Sequence, residues 1–219
     1  RWQHPLLGDI SPLEFIPIAE ESELISELDL WVCNESCKLL CECLHTKISL
    51  NISARHLARA DFVAKFMAIV DKWKIDHRFI TLELTESALI KGVSTIQARV
   101  RELAHFGFNL SIDDFGIGDS NLNYLQDLPI SELKVDKEFV SAMESSEQKR
   151  LLITSICDMA KSMRLNTVAE GIENDTQLDH AQKSGCNAFQ GYFLDKPLSI
   201  QAWKQRLNKE DTTIYTDLK

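Results

Sequence analysis

The sequence lacks any apolar run that approaches the roughly 18 residues needed to cross a bilayer, and it lacks a basic stretch followed by an apolar leader. We therefore expect a soluble, cytoplasmic domain, or the cytosolic part of a membrane-anchored protein. Positive charge is also scarce: the sequence has 24 Lys and Arg but 33 Asp and Glu, which gives a net charge of −9. This balance argues against binding of bulk nucleic acid through its phosphates. Any nucleotide ligand is expected to be small.

The cysteines lack the two separate close pairs that zinc sites usually use. Four of the six lie in one segment, as Cys33, Cys37, Cys41 and Cys43. Spacings of four place the first three on one helical face, where reduced thiols behave as small buried hydrophobes. Packing is the favoured interpretation and metal binding the lesser one. The six histidines have no ligand spacing either, and we assign them no role.

The chain has no convincing repeat, low-complexity stretch or internal linker. Its 219 residues, 44% of them hydrophobic, predict one domain over residues 1–209, followed by a tail at 210–219 and with a last helix at about 199–207. Predicted strands alternate with segments of helical period, which favours parallel strands joined by helical crossovers and hence an α/β barrel. Three predicted helices carry apolar residues at Phe62, Phe66, Ile69 and Trp73, at Val93, Ile96, Val100 and Leu103, and at Leu152, Ile156, Met159 and Met163.

The predicted strands are apolar on one parity and polar on the other, as Leu82 and Leu84 against Glu83 illustrate. Since parallel strands buried on both faces read as continuous apolar runs, one face here is expected to meet water, ions or ligand. Polar residues also stand where these strands end, and parallel barrels build their sites at that end. The residues at these strand ends are Asn51, Glu83, Asp113, Asp114, Lys134, Glu170 and Gln190.

Four carboxylates, two amides and a lysine at one mouth predict a divalent-metal site that faces a phosphate or enolate substrate. Asp113 and Asp114 are adjacent, and the glycine-containing segment that follows can turn both carboxylates to one site, although Asp-Asp before glycine also suits a plain turn. Lys134 is expected to orient or deprotonate a metal-bound water, or to neutralise excess carboxylate charge. On chemistry alone, an enolase-type magnesium-dependent lyase with Glu83, Asp113 and Lys134 remains an alternative.

Eight blocks resemble, in their order, the EAL domains, which are bacterial cyclic di-GMP phosphodiesterases. The resemblance covers about residues 1–207. The blocks are RWQHP, SPLEFIPIAEES, NISARHL, ELTES, DDFGIG, KVDKEFV, VAEGIE and QGYFLDKPL.

This resemblance implies a TIM-like (β/α)8 barrel that hydrolyses cyclic di-GMP to linear pGpG with two ions of Mg²⁺ or Mn²⁺. A non-hydrolysing cyclic di-GMP receptor of the same fold is the alternative. A homodimer and an upstream sensor or GGDEF domain are the implied partners.

The roles implied by the resemblance fall into metal ligands, a catalytic set and substrate contacts. Asn51, Glu83 and Asp113 are similar to ligands of one metal, with Asp113 bridging to a second metal at Asp114 and Glu170. Lys134 is similar to the lysine that positions the nucleophilic water, and with Glu170 and Asp114 it forms the implied catalytic set. Glu86 is similar to the glutamate that holds the DDFG loop. Arg1, Glu173 and Gln190 resemble substrate-binding residues.

The Glu-Ala-Leu motif itself lies just ahead of the arginine that matches Arg1 in family members, and its glutamate is a metal ligand. We therefore expect the 219 residues alone to lack the first strand and to have impaired activity.

Overall fold

The computed structural model describes residues 2–43, 46–90, 94–116 and 123–209. The strands in these residues are β1 (Trp2–His4), β2 (Gly8–Ile10), β3 (Ile48–Asn51), β4 (Ile80–Thr85), β5 (Asn109–Phe115), β6 (Glu132–Val135), β7 (Asn166–Ala169) and β8 (Ala188–Phe189). The α-helices are α1 (Pro12–Glu21), α2 (Ile25–Glu42), α3 (Ala54–Leu57), α4 (Phe62–Trp73), α5 (Glu86–Ile90), α6 (Ser94–His105), α7 (Asn123–Asp127), α8 (Lys137–Ala142), α9 (Glu147–Ser162), α10 (Asp175–Lys183) and α11 (Ile200–Lys209), and a 3₁₀ turn covers His77–Phe79.

Strands β3 to β8 form one parallel sheet within the described residues, and each strand pairs with the next one in the chain. The connections between them contain the helices, as parallel pairing requires. This arrangement is the curled, helix-covered sheet of a TIM-like barrel, as predicted. An antiparallel hairpin of β1 and β2 precedes it, and the strand pattern did not predict this hairpin.

The two parities of the strands have the environments that their sequence predicts. Leu82, Leu84, Leu110 and Ile112 are at most 2% exposed and belong to the core shared with the helices. Burial of each such side chain stabilises the fold by about 1.5–3 kcal/mol. The opposite parity carries ionisable side chains, including Glu83. The sheet is therefore apolar towards the helices and polar towards the lumen.

Helical periodicity located the buried faces well in α4 and α6 but less well in α9. Phe62 and Phe66 of α4 are fully buried, and Val100, Leu103 and Ile96 of α6 are buried in the core, whereas the predicted Val93 lies outside the described residues. In α9, however, Leu152 is 42% exposed while Ile153 is buried. The buried face of α9 is therefore rotated by one residue from the predicted face at this point. Both side chains are apolar, so only the packing of α9 on the sheet decides which one is buried.

The cysteine-rich segment is helical and lies within α2. Cys33 and Cys37 are fully buried, in agreement with the packing interpretation. Cys41 is exposed, contrary to that interpretation, because spacings of four drift around a helix of 3.6 residues per turn, and Leu40 takes the buried position instead. The Sγ of Cys41 donates to the carbonyl of Trp73 at 3.4 Å. Among the described residues these thiols form no group of three potential metal ligands.

The last helix, α11, begins one residue after the predicted start and extends two residues beyond the predicted end. The predicted tail at 210–219 lies outside the described residues, so the boundary at 209 stays a prediction. None of the helices in the described part of the chain combines the length and the apolar character needed to cross a membrane.

Candidate active site

The register of the parallel sheet brings the polar strand ends to one edge. Asn51 of β3 pairs with Glu83 of β4, and Asp113 of β5 pairs with the last residue of β4. Lys134 lies in β6, whose final residue pairs with Ala169, directly before Glu170. Because the strands run in the same direction, these residues share one mouth of the barrel.

Lys134 lies at the centre of this group. Its Nζ is 2.6 Å from Glu170 Oε1, 2.9 Å from Glu83 Oε2 and 3.2 Å from Asp113 Oδ1. The lysine is only 4% exposed, and these distances are those of charge-assisted hydrogen bonds. One ammonium therefore faces three carboxylates that come from three different strands or strand ends.

Burial disfavours the charge on Lys134, but attraction by Glu83, Glu170 and Asp113 outweighs burial and raises the pKa of the lysine. The lysine is thus held as an ammonium at neutral pH. Burial, together with repulsion from Asp113 and Glu83, raises the pKa of Glu170 to about 7. Attraction by Lys134 lowers this pKa but does not outweigh the other two causes. A single lysine does not neutralise the cluster, which favours a further cation.

The carboxylates of Asp113, Asp114 and Glu170 form the group that fits a metal ion. Each offers one oxygen, and the three oxygens lie within 4.8 Å of one another. Burial, followed by repulsion from Asp113 and from Asp136, raises the pKa of Asp114. Carboxylate oxygens are the ligands that Mg²⁺ and Mn²⁺ prefer. The donor set therefore fits a hard divalent cation.

The backbone at Asp113 and Asp114 is distorted. Asp114 has a φ of 56°, and Gly116 has a φ of 100°. The pairing of β5 with β6 is irregular between Ile112 and Phe115. A left-handed conformation at a residue other than glycine costs about 1–2 kcal/mol. Glu23, Lys74 and Arg164 also have positive φ, so the conformation by itself does not mark a site; at Asp114 it accompanies two adjacent carboxylates at one mouth.

Glu86, the first residue of α5, contacts the backbone just after these carboxylates. Its Oε2 accepts a hydrogen bond from the backbone N–H of Gly116 at 3.1 Å. A side chain at Gly116 would also press on the ring of Phe139. The loop-holding role predicted for Glu86 remains a prediction, but this is the contact that such a role requires.

A cavity of about 670 Å³ adjoins Glu170 and contains both Glu173 and Gln190 in its wall. Asn51 is exposed at the edge of the mouth. Arg1, predicted to bind a substrate phosphate, lies outside the described residues. All the other predicted site residues are at or beside one mouth, and their individual roles stay predictions.

The cavity wall also contains residues that were not predicted from the sequence, among them Lys137, Tyr192 and Trp203. Two glycines of the wall were not predicted to have a role either. A Cβ at Gly171 would collide with the side chain of Lys137, and one at Gly191 with the backbone of Ile172. Glycine directly after Glu170 and after Gln190 was the available signal for this close packing.

The model of the EAL domain family matches residues 1–197 of this chain. The chain therefore belongs to the EAL domain family, and the predicted resemblance is confirmed. It is 36% identical over 206 residues to the oxygen sensor protein DosP of Escherichia coli (strain K12), a match that covers 92% of this chain and 26% of DosP.

The chain is also 34% identical over 213 residues to the cyclic di-GMP phosphodiesterase NbdA of Pseudomonas aeruginosa (strain PAO1), with 94% of this chain and 27% of NbdA covered. It thus spans about a quarter of the length of these two relatives. Among solved structures, it is similar to the PaMucR phosphodiesterase in complex with c-di-GMP, with a TM-score of 0.88 and 32% identity over 93% of this chain and 84% of that chain. The TIM-like fold is thereby confirmed.

Proposed function

We propose that this chain is a cyclic di-GMP phosphodiesterase domain, which hydrolyses one phosphodiester bond of cyclic di-GMP to give linear pGpG. The observation that carries the proposal is the mouth of the barrel, where the buried ammonium of Lys134 contacts the carboxylates of Glu83, Asp113 and Glu170. Two of these carboxylates, with that of Asp114, form the group that fits a metal ion. A relative named as a cyclic di-GMP phosphodiesterase and a related phosphodiesterase solved with c-di-GMP support the choice of substrate.

Asp113, Asp114 and Glu170, with Glu83 and Asn51 beside them, would hold two ions of Mg²⁺ or Mn²⁺. Such ions supply Lewis-acid stabilisation of the phosphoryl oxygens and lower the pKa of water. The chain's own residues bind and orient the ions and the substrate. Asp113 is placed between the Lys134 ammonium and Asp114, so it can serve both halves of the cluster.

Lys134 holds its proton, and its ammonium faces the same mouth as the carboxylates. It therefore acts as a hydrogen-bond donor that positions the attacking water and not as a base. Glu173 and Gln190 line the cavity next to Glu170, where they contact the nucleotide. Arg1 is proposed to bind a phosphate. The homodimer, the upstream sensor or GGDEF domain and the cytoplasmic location stay predictions.

The test is to incubate the full-length native protein with cyclic di-GMP and Mn²⁺ and to separate the products by chromatography. We expect pGpG, loss of the reaction in excess chelator, and recovery with Mg²⁺ or Mn²⁺. Ca²⁺ is expected to bind without supporting turnover, because its longer and looser coordination positions water poorly. Undiminished hydrolysis in excess chelator would refute the metal-dependent mechanism. Tight binding of cyclic di-GMP without any hydrolysis would favour the non-hydrolysing receptor.

A further inference from the structure

A second buried polar pair lies next to the turn between β3 and α3. His56 of α3 and Asp29 of α2 are 3.0 Å apart, from Nδ1 to Oδ2. Their side chains are 1% and 8% exposed. Neither residue belongs to the predicted ligand set. Polar groups this deeply buried are costly unless they are hydrogen-bonded, so their placement requires an explanation.

The same oxygen of Asp29 has a second donor. The backbone N–H of Ser53 donates to Oδ2 at 3.2 Å. Ser53 is also the N-cap of α3, and its side-chain oxygen accepts from the backbone N–H of Arg55 at 3.3 Å. One carboxylate oxygen therefore holds both the residue that starts α3 and, through His56, the helix itself.

This turn follows Asn51 directly. The backbone N–H of Ile52 donates to the carbonyl of Glu83 at 3.0 Å, and Asn51 pairs with Glu83 in the sheet register. Beyond Asn51, the chain is therefore held first by β4 and then, one residue later, by Asp29 of α2. Since the Asn51 side chain is exposed, its position at the mouth depends on how well this backbone is fixed.

We infer that Asp29 and His56 are positioning residues for Asn51, an inference that rests on the proposed function and on Asn51 as a metal ligand. Groups that orient the ligands of a metal site change metal affinity when they are removed, commonly by 10-fold to 100-fold. The pair acts through the backbone of residues 52 and 53 and does not itself contact metal or substrate.

The ring of His56 is oriented as well as buried. It packs edge-on against Phe62, with ring centroids 4.7 Å apart and an angle of 87° between the planes. To donate to the carboxylate of Asp29, the ring carries its proton on Nδ1. Leucine at position 56 removes this donor and keeps an apolar side chain, whereas asparagine places an amide N–H near the position of Nδ1.

The experiment measures Mn²⁺ affinity by titration calorimetry and kcat and KM for cyclic di-GMP in the full-length protein. We compare His56→Leu, His56→Asn and Asp29→Asn. Ile153→Ala is the control, because Ile153 is fully buried in α9, outside the predicted ligand set, and its truncation destabilises the fold without touching the β3–α3 turn. Denaturant unfolding of each variant gives the stability against which the affinities are compared.

We expect His56→Leu to weaken Mn²⁺ binding about tenfold and to lower kcat more than it raises KM. His56→Asn is expected to restore most of the affinity. Asp29→Asn keeps an acceptor oxygen but loses its charge, which about halves the strength of such bonds, so an intermediate loss is expected. Ile153→Ala is expected to bind Mn²⁺ like the unmodified protein.

Unchanged Mn²⁺ affinity in His56→Leu would overturn the inference, as would an equal loss in Ile153→Ala. If His56→Leu does not fold, Asp29→Asn decides, and unchanged affinity in that variant overturns the inference. If the unmodified protein binds no Mn²⁺, the proposed function itself fails. If it binds Mn²⁺ and the variants bind equally well, only the positioning role fails.

Discussion

The two buried charged clusters of this EAL domain differ in their balance of charge. At the barrel mouth, one ammonium on Lys134 faces the carboxylates of Glu83, Asp113 and Glu170. Under the β3–α3 turn, the single carboxylate of Asp29 is matched by two donors, from His56 and from the backbone of Ser53. In the first cluster three carboxylates share one ammonium, whereas in the second a single carboxylate oxygen accepts from two donors of the protein.

This difference distinguishes a cluster that is suited to bind an ion from a cluster that stabilises the fold. A buried carboxylate that accepts its hydrogen bonds from donors within the protein stabilises the fold in one arrangement. A cluster with surplus carboxylates is destabilised by their mutual repulsion, and it is stabilised when a cation binds. The surplus of carboxylates therefore marks the place where the protein accepts an ion, and the partial exposure of Asp113 and Glu170 leaves that place open to one.

The largest effect is expected from Asp113→Asn. Loss of this carboxylate is predicted to reduce kcat/KM about a thousandfold or more, equivalent to about 4 kcal/mol of transition-state stabilisation. Because the change also relieves repulsion, metal-free stability is predicted to stay equal or to rise. Phosphodiesterase assays and denaturant unfolding in chelator measure the two quantities. A large loss of metal-free stability would contradict the surplus of charge.

The second-largest effect is expected from Lys134→Met, which removes the ammonium that contacts Glu83, Asp113 and Glu170. Metal-free stability is predicted to fall by about 3 kcal/mol, because buried charges lose their partner. Mn²⁺ is predicted to restore more stability to this variant than to the unmodified protein. Turnover is predicted to slow while affinity for cyclic di-GMP stays close to normal. If the variant lost substrate binding but kept its turnover number, Lys134 would be a substrate contact.

A smaller effect concerns the pH dependence of metal binding. The pKa of Glu170 is raised to about 7 from an ordinary 4.5, so the metal-free folded protein binds this proton more tightly than the unfolded chain does. The contribution of Glu170 to the free energy of unfolding is therefore largest below pH 4.5 and is lost as the pH rises to about 7.

Metal binding requires the ionised carboxylate, so Mn²⁺ affinity is predicted to rise about tenfold per pH unit below about 7 and then to level off. Titration calorimetry between pH 5.5 and 8 in buffers of different ionisation enthalpy also counts the released proton. Glu170→Gln is the matched control, since it removes this titration. A flat affinity profile in the unmodified protein would contradict the metal role of Glu170.

The smallest effect is expected at an exposed ion pair that belongs to neither cluster. Lys183 and Asp179 of α10 are in contact at 2.6 Å, with side chains that are 73% and 48% exposed. Lys183→Ala is predicted to change stability by no more than about 0.5 kcal/mol, because water screens such pairs. Thermal unfolding with and without salt measures it. A loss comparable to that of Lys134→Met would mean that burial does not set the scale of these interactions.

The chemical character of the site could be predicted from local sequence. Glu83, Asp113 and Lys134 each follow an apolar alternation, and strands that run in parallel must end at the same edge. The α/β class followed from the same alternation of strands and helices. These properties depend on residue type and period, which are visible without any knowledge of the contacts between distant segments.

The contacts across the barrel depended on tertiary structure. Lys134 and Glu83 are 51 residues apart, and Asp29 and His56 are 27 apart, so no local pattern relates them. The choice between Leu152 and Ile153 was likewise made by the packing of α9, since both residues are apolar. Local sequence determined which residues are polar and where the strands end, because those follow from the period. Which charges are matched, and which are left in excess for a cation, was decided only when the sheet brought distant strands together.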